Sequence, residues 1–139
     1  MKDRPLLKKI VLVDDDPLTN GFHKKLIENM GIAQIVEFYE DAKILLDQYG
    51  NGITEEDYPE LFVIDIGLPK DSGHELAKRI QKLPDFNPEK SKIAFVTASK
   101  DIKDVIIADN NEFDHYFWKP LNRQKVNQLL RDAFDIVNK

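Results

Sequence analysis

Acidic side chains follow two stretches of the sequence that are typical of buried strands. The run Asp14–Asp16 comes directly after the segment 9–13, in which residues 10–13 are apolar, and Asp65 comes directly after apolar residues 61–64. If these carboxylates meet, they repel one another unless a cation or protons neutralise them. A hard cation is the simpler solution. Mg²⁺ is the best candidate, because it prefers oxygen ligands and bridges carboxylates to phosphate oxygens.

A hydroxyl group and an ammonium group follow two further predicted strands. Thr97 ends the run 92–97, and Lys119 ends the aromatic run 115–119. A fixed positive charge and a hydroxyl donor beside a metal-binding set of carboxylates suit an anionic group. The polar residues at the strand ends therefore indicate a phosphoryl group held between a metal ion and a lysine.

Strand-like and helix-like segments alternate along the chain, and this alternation must position those side chains. We predict strands over 9–13, 35–39, 61–64, 92–97 and 115–119, each followed by a helix. Five such units predict an α/β fold with a doubly wound parallel sheet and right-handed crossovers. Ligands bind at the carboxyl ends of the strands in such sheets, so the polar residues are expected at a ligand-binding edge.

Capping residues and apolar spacing mark the helices. Ser72, with Glu75 three residues later, predicts a capping box at the start of the helix after Asp65. A proline follows the predicted cap Asp16, and Gly31 ends the first helix. Apolar residues at helical spacing predict three further helices. The first helix has Leu18, Phe22, Leu26 and Met30, and the fourth has Ile102, Val105 and Ile106. The fifth has Val126, Leu129, Leu130, Ala133, Phe134 and Val137.

Composition narrows the class of protein. The 139 residues, 42% of them hydrophobic, fit one globular domain spanning 1–139. The net charge of −5 provides no basic surface for nucleic acid or an anionic membrane, and there is no cysteine. No apolar run approaches the roughly 20 residues that span a bilayer, and the first residues lack a signal-peptide core. We therefore expect a cytoplasmic protein.

His23, His74 and His115 have unrelated spacings and are predicted to be surface or core residues, not metal ligands.

Four short motifs at the strand ends resemble those of the response-regulator receiver domain, the phosphoacceptor module of two-component signalling. They are LVDDDP, IDIGLPKDSG, VTAS and YFWKP, and they occur in the family's order. Each motif alone is weakly specific, whereas four in order at suitable spacing form a strong signal. The resemblance covers nearly the whole chain and implies a flavodoxin-like (βα)5 fold with strand order 2-1-3-4-5.

The resemblance also implies roles for the acidic residues. Asp65 would accept a phosphoryl group from the phosphohistidine of a sensor histidine kinase or a histidine phosphotransfer protein, forming an acyl phosphate. Asp15 would hold Mg²⁺ directly and Asp14 largely through water. Asp65 and the backbone carbonyl of Gly67 would complete the protein's ligands.

The remaining motifs imply a switch. Lys119 would pair with the phosphoryl oxygens, and the Thr97 hydroxyl would bond one of them. Tyr116 matches the switch aromatic that packs inward when the threonine moves, and strand alternation places Trp118 on the same side. Pro120 is expected to follow Lys119 through a cis peptide bond.

These roles describe a signalling module, and not an enzyme with an external substrate. We expect a downstream protein to bind the face made by the fourth predicted helix, the fifth strand and the fifth helix. No output domain fits after the last predicted helix, so a stand-alone regulator or a relay, either monomeric or weakly dimeric, is expected. The module would catalyse only its own phosphorylation and dephosphorylation.

Two other functions are compatible with parts of the sequence. A phosphatase of the haloacid-dehalogenase type would use Asp14 as the nucleophile, but its motif ends in threonine or valine where DDDPL has Leu18. A pseudo-receiver would bind its partner without phosphorylation. The intact acidic set and Lys119 argue against that second alternative.

Overall fold

A parallel sheet of five strands forms the centre of the protein. The computed structural model describes residues 6–68, 72–98, 113 and 115–135. Hydrogen-bonded neighbours follow the order β2-β1-β3-β4-β5, and every pair is parallel. The predicted sheet and strand order are thus confirmed. The strands are β1 (Leu7–Val13), β2 (Ala33–Tyr39), β3 (Leu61–Asp65), β4 (Lys92–Thr97) and β5 (Tyr116–Trp118).

Four α-helices are described, namely α1 (Pro17–Met30), α2 (Ala42–Tyr49), α3 (Gly73–Gln81) and a last helix (Arg123–Phe134). The predicted caps form, since the Asp16 side chain accepts a hydrogen bond from the Leu18 N–H and Ser72 accepts one from the Glu75 N–H. The connector before β3 contains a short 3₁₀ turn, Glu55–Asp57. The predicted fourth helix, and Val137 of the fifth, lie outside the described residues.

Apolar side chains cover both faces of the sheet. One core joins alternate residues of β1 to α1 and the last helix and includes Ile10, Leu12, Ile27, Leu129 and Leu130. The other joins the opposite face to α2 and α3 and includes Val11, Val13, Leu45, Phe62, Ile64, Leu76 and Ile80. Because every residue of β3 is buried, the unbroken apolar run 61–64 is explained. Among the described helices, none has both the length and the apolar character needed to cross a bilayer.

The apolar spacing marks the buried face of α1 only in its second half, where Leu26 and Met30 pack against the core. Leu18 and Phe22 are 81% and 56% exposed, whereas Asn20, His23 and Ile27 are buried. The polar pair is buried because it satisfies backbone groups of two loops. Asn20 donates to the carbonyl of Asp14 over 2.7 Å, and His23 accepts from the N–H of Leu121 over 3.0 Å.

Candidate functional site

Three carboxylates meet at the carboxyl edge of the sheet. β1 and β3 are neighbours in register, Val13 pairing with Ile64, so Asp14 just after β1 and Asp65 at the end of β3 lie side by side. One oxygen from each of Asp14, Asp15 and Asp65 lies within 4.8 Å of the others. Asp14 and Asp65 are buried, whereas Asp15 is exposed to solvent. The structure therefore brings together the acidic residues that the sequence motifs single out.

Lys119 contacts both buried carboxylates. Its Nζ lies 2.6 Å from Oδ2 of Asp14 and 3.1 Å from Oδ2 of Asp65. The lysine follows β5, and its backbone N–H donates to the carbonyl of Thr97 at the end of β4. The Lys119–Pro120 peptide bond is cis, as the resemblance predicts.

Backbone N–H groups hold the other oxygen of each buried carboxylate. Oδ1 of Asp14 accepts a hydrogen bond of 2.9 Å from the N–H of Asp16, and Oδ1 of Asp65 accepts one of 3.0 Å from the N–H of Gly67. Each side chain is therefore fixed on one side by its own loop and on the other by Lys119. This arrangement defines where both carboxylates point.

Burial and nearby charges shift the pKa values of Asp65 and Lys119. Burial raises the pKa of Asp65, and the negative charge of Asp14 raises it further, while the Gly67 N–H and the Lys119 ammonium oppose the shift. Burial lowers the pKa of Lys119, but hydrogen bonding and charge from Asp14 and Asp65 outweigh burial and raise it overall. Lys119 therefore remains protonated beside the two carboxylates.

The donor set fits a hard divalent cation. One ammonium group faces three carboxylates, so negative charge remains in excess when all three are ionised. Asp15 is exposed and can supply a carboxylate oxygen at the open side of the cluster. Oxygen ligands of this kind suit Mg²⁺ better than a soft metal.

The first turn of α3 packs directly on the backbone at Asp65. The N–H of Gly73 donates to the carbonyl of Ile66 over 2.9 Å. A Cβ atom at position 73 would lie 2.5 Å from the main-chain oxygen of Asp65, so only glycine allows this approach. The loop that carries Asp65 is thereby fixed to α3.

Thr97 and Tyr116 lie on the adjacent strands β4 and β5. Thr97 is buried at the end of β4, and Phe95 pairs with Tyr116 in the register of β4 and β5. The Tyr116 ring stacks on Phe95 with centroids 5.2 Å apart, and its hydroxyl lies 3.0 Å from Nε2 of His74. Trp118 is 42% exposed on the same strand.

Three polar residues that support the site are not identified by the sequence motifs. Asn20 and His23 hold the loops after β1 and β5, and His74 contacts Tyr116. The prediction that histidines are core or surface residues holds for the buried His23. A polar residue in the interior part of a predicted helix is the signal that could have identified these residues. The sequence does not show, however, which distant group such a residue bonds.

Comparison with known proteins assigns the chain to a family. The family model of the response regulator receiver domain matches residues 10–131, and the chain belongs to this family. An uncharacterised 14.6-kDa protein of Leptolyngbya boryana is 30% identical over 122 residues, which cover 88% of this chain and 86% of that protein. The two-component response regulator ARR22 of Arabidopsis thaliana is 28% identical over 131 residues, which cover 93% and 85% of the two chains.

The fold also matches solved receiver structures. A two-component response regulator from Cytophaga hutchinsonii superposes with a TM-score of 0.79 at 21% identity, over 94% of this chain and 98% of that chain. At this identity the similarity shows the fold alone. It agrees with the observed strand order and with the predicted flavodoxin-like class.

Proposed function

We propose that this receiver domain accepts a phosphoryl group on Asp65 from a phosphohistidine, carried by a sensor histidine kinase or a histidine phosphotransfer protein. The observation that carries the proposal is the double contact of Lys119 with Asp65 and Asp14. A cation fixed between the acceptor and a second carboxylate can stabilise the charge of an incoming phosphoryl group. The family assignment of residues 10–131 supports the same role.

The chemical step is a transfer between two nucleophiles. An oxygen of the Asp65 carboxylate forms a bond to phosphorus while the phosphorus–nitrogen bond of the donor breaks. The departing imidazole keeps the electron pair, and the product on this chain is an acyl phosphate. Most of the rate acceleration comes from positioning and charge neutralisation, which Lys119 and the Gly67 N–H provide.

Asp14, Asp15 and Asp65, with the carbonyl of Gly67, would hold Mg²⁺ in this mechanism. When bound, the ion would neutralise the excess carboxylate charge and stabilise negative charge on the phosphoryl oxygens. Asp14 is held by the Asp16 N–H and by Lys119, so its position is set by the protein itself. The exposed Asp15 supplies the most accessible carboxylate.

Apolar side chains beside the site offer a docking surface for the donor protein. Leu18 and Phe22 are exposed on α1, and together with Pro120 they line a shallow apolar depression next to Lys119. Exposed apolar groups that cluster in this way are typical of protein contact surfaces. A protein donor placed there would present its phosphohistidine towards Asp65.

The acyl phosphate would change the surface around β5. In this proposal the Thr97 hydroxyl bonds a phosphoryl oxygen, and Tyr116 responds to the movement of Thr97. The exposed Trp118 lies on the same strand and would contribute to the surface that a downstream protein binds, together with the last helix. The module would thus work as a regulator or as a relay.

The haloacid-dehalogenase alternative requires Asp14 as the nucleophile. Asp14 and Asp65 have the same kind of partners, because Oδ1 of each accepts from a backbone N–H and Oδ2 of each pairs with Lys119. The family assignment of residues 10–131, together with Leu18 at the last position of the motif, supports Asp65 as the nucleophile and a supporting role for Asp14. A pseudo-receiver would have no need for Lys119 between two buried carboxylates.

A single experiment separates these functions. The protein is incubated with acetyl phosphate and Mg²⁺, and intact-mass spectrometry measures the covalent phosphoryl adduct. We expect an adduct on the wild type, none on Asp65→Asn, and a slower adduct on Asp14→Asn. Asp47→Asn is the matched control, since Asp47 pairs with Lys43 on the exposed face of α2 and should leave the adduct unchanged.

The other outcomes identify the alternatives. An adduct that persists in Asp65→Asn and disappears in Asp14→Asn would favour the phosphatase-type mechanism. No adduct on the wild type, with either acetyl phosphate or a phosphorylated histidine phosphotransfer protein, would favour the pseudo-receiver.

A further inference from the structure

His74 connects the helix beside Asp65 to β5, the strand that directly precedes Lys119. Its Nε2 lies 3.0 Å from the hydroxyl of Tyr116. Its ring also packs against Phe95 and Phe113, with centroids 4.7 Å and 6.1 Å away. His74 therefore lies in a cluster of aromatic rings that joins α3 to β4 and β5, and within it forms a hydrogen bond with Tyr116.

The backbone of His74 is fixed relative to Asp65. Gly73 donates to Ile66 and has no room for a Cβ atom against the main chain of Asp65. Because His74 is the next residue in α3, a displacement of the Asp65 loop moves the histidine with it. The hydrogen bond to Tyr116 then transmits that displacement to β5.

A second connection joins the same two regions. Lys119, three residues after Tyr116, forms its ion pair with Asp65. The Asp65 loop and β5 are thus linked once through Lys119 and once through His74 and Tyr116. Two links between the same elements restrict how β5 can move when the charge at Asp65 changes.

We propose that His74 is a positioning residue that couples the state of Asp65, through Tyr116, to the exposed side chain of Trp118. This inference rests on the proposed phosphorylation of Asp65 and extends it to a residue outside the four sequence motifs. His74 does not contact the reacting atoms in this role. It holds the Tyr116 hydroxyl, and a neutral histidine and a phenol can form this hydrogen bond with either group as the donor.

Trp118 provides a natural reporter, because it is the single tryptophan of the chain. The experiment records the fluorescence of Trp118 before and after treatment with acetyl phosphate and Mg²⁺, and divides the change by the fraction of adduct. We expect a clear change in the wild type. In His74→Leu we expect the change per adduct to fall about two- to tenfold, the range that matches the net contribution of one hydrogen bond.

Three variants separate the hydrogen bond from simple packing. His74→Gln retains a hydrogen-bonding group and should recover most of the wild-type response. Tyr116→Phe removes only the hydroxyl and should reduce the response as His74→Leu does, and combining the two changes should add no further loss. His115→Leu is the matched control, because His115 immediately precedes Tyr116 and should leave the response unchanged.

Failure of this inference differs from failure of the proposed function. If the wild type forms no adduct, the proposed function fails. If the adduct forms but His74→Leu and Tyr116→Phe respond like the wild type, the coupling role of His74 is wrong. Equal losses in His74→Leu and His74→Gln, with Tyr116→Phe unaffected, would also overturn it and leave His74 a packing residue.

Discussion

Gly73 lies so close to Asp65 that a Cβ atom on Gly73 would be 2.5 Å from the main-chain oxygen of Asp65. The contact is with backbone atoms, so a side chain at this position must push α3 away from the loop. We predict that Gly73→Ala lowers the free energy of unfolding by about 1–3 kcal/mol, as overpacking does, and slows adduct formation at Asp65. Urea unfolding and the time course of the adduct measure the two effects.

Gly21→Ala is the control for that substitution. Gly21 lies within α1, and a Cβ atom there would meet nothing within 4 Å. Because alanine favours the helix, this change should raise the free energy of unfolding by about 0.5–1 kcal/mol and leave the adduct rate unchanged. If both alanine variants behave alike, the close packing of α3 on Asp65 has no functional role.

Lys119→Met removes the ammonium group and keeps a side chain of similar length. Asp14 and Asp65 then face each other without the cation that contacts both. We predict that the rate of adduct formation falls about 100-fold, the loss typical of one preorganised charge-stabilising group. The rate with acetyl phosphate and Mg²⁺ is the measurement.

Lys43→Met is the control for the loss of a lysine. Lys43 pairs with Asp47, and both side chains are largely exposed. Exposed ion pairs contribute little, so this variant should change stability by less than about 0.5 kcal/mol and keep its adduct rate. A Lys119→Met rate close to that of Lys43→Met would contradict the role of Lys119.

His23 makes the stability of the fold dependent on pH. Burial lowers the pKa of His23 from 6.5, Asp14 opposes the shift, and Lys119 and Lys125 add to it. Below pH 6.5 the histidine of the unfolded chain binds a proton that the folded chain excludes. The contribution of His23 to stability is therefore fully present above this pH and is lost as the pH decreases. The wild type should therefore lose stability in mild acid.

The variant His23→Leu tests this pH dependence. It leaves the buried N–H of Leu121 without its acceptor, so we predict a loss of about 1–3 kcal/mol at neutral pH. The difference from the wild type should narrow in mild acid, because only the wild type contains the titrating group. Urea unfolding on either side of the histidine pKa measures both effects, and a difference that widens in acid would contradict the prediction.

Asp65→Asn should stabilise the fold in buffer without divalent cations. Burial raises the pKa of Asp65 from 3.8, Asp14 adds to the shift, and the Gly67 N–H and Lys119 oppose it. The stability contribution of a group with a raised pKa is present below its unfolded value and is lost as the pH rises through its folded value. Asparagine avoids this loss. We expect Asp65→Asn to exceed the wild type in stability at neutral pH and to approach it in acid, as thermal unfolding would show.

The sheet and the acidic site were predictable because their signals are local. The apolar run 61–64 identifies a strand covered on both faces, and the aspartate after it lies at the carboxyl edge by geometry alone. The same holds for Asp14 after β1 and Lys119 after β5. The patterns at the ends of β1, β3 and β5 were sufficient to predict that Asp14, Asp15, Asp65 and Lys119 converge.

The buried side chains in the first half of α1 and the role of His74 were not predictable from local patterns. Periodicity favoured Leu18 and Phe22, but the backbone groups of two loops selected Asn20 and His23 for the interior. The partner of His23 is 98 residues away, and that of His74 is 42 residues away. Hydrogen bonds over such separations exist only once the sheet has formed, so the sequence does not reveal them.

The acceptor residue is identified most directly by reductive trapping of the acyl phosphate. Borohydride reduces an aspartyl phosphate to homoserine, so the phosphorylated aspartate carries a permanent mark that peptide mass spectrometry locates. After treatment of the wild type with acetyl phosphate and Mg²⁺, we predict homoserine at position 65 and unmodified Asp14 and Asp15. Homoserine at position 14 or 15, or reduction at none of the three in protein that carries the phosphoryl adduct, would contradict the assignment of Asp65.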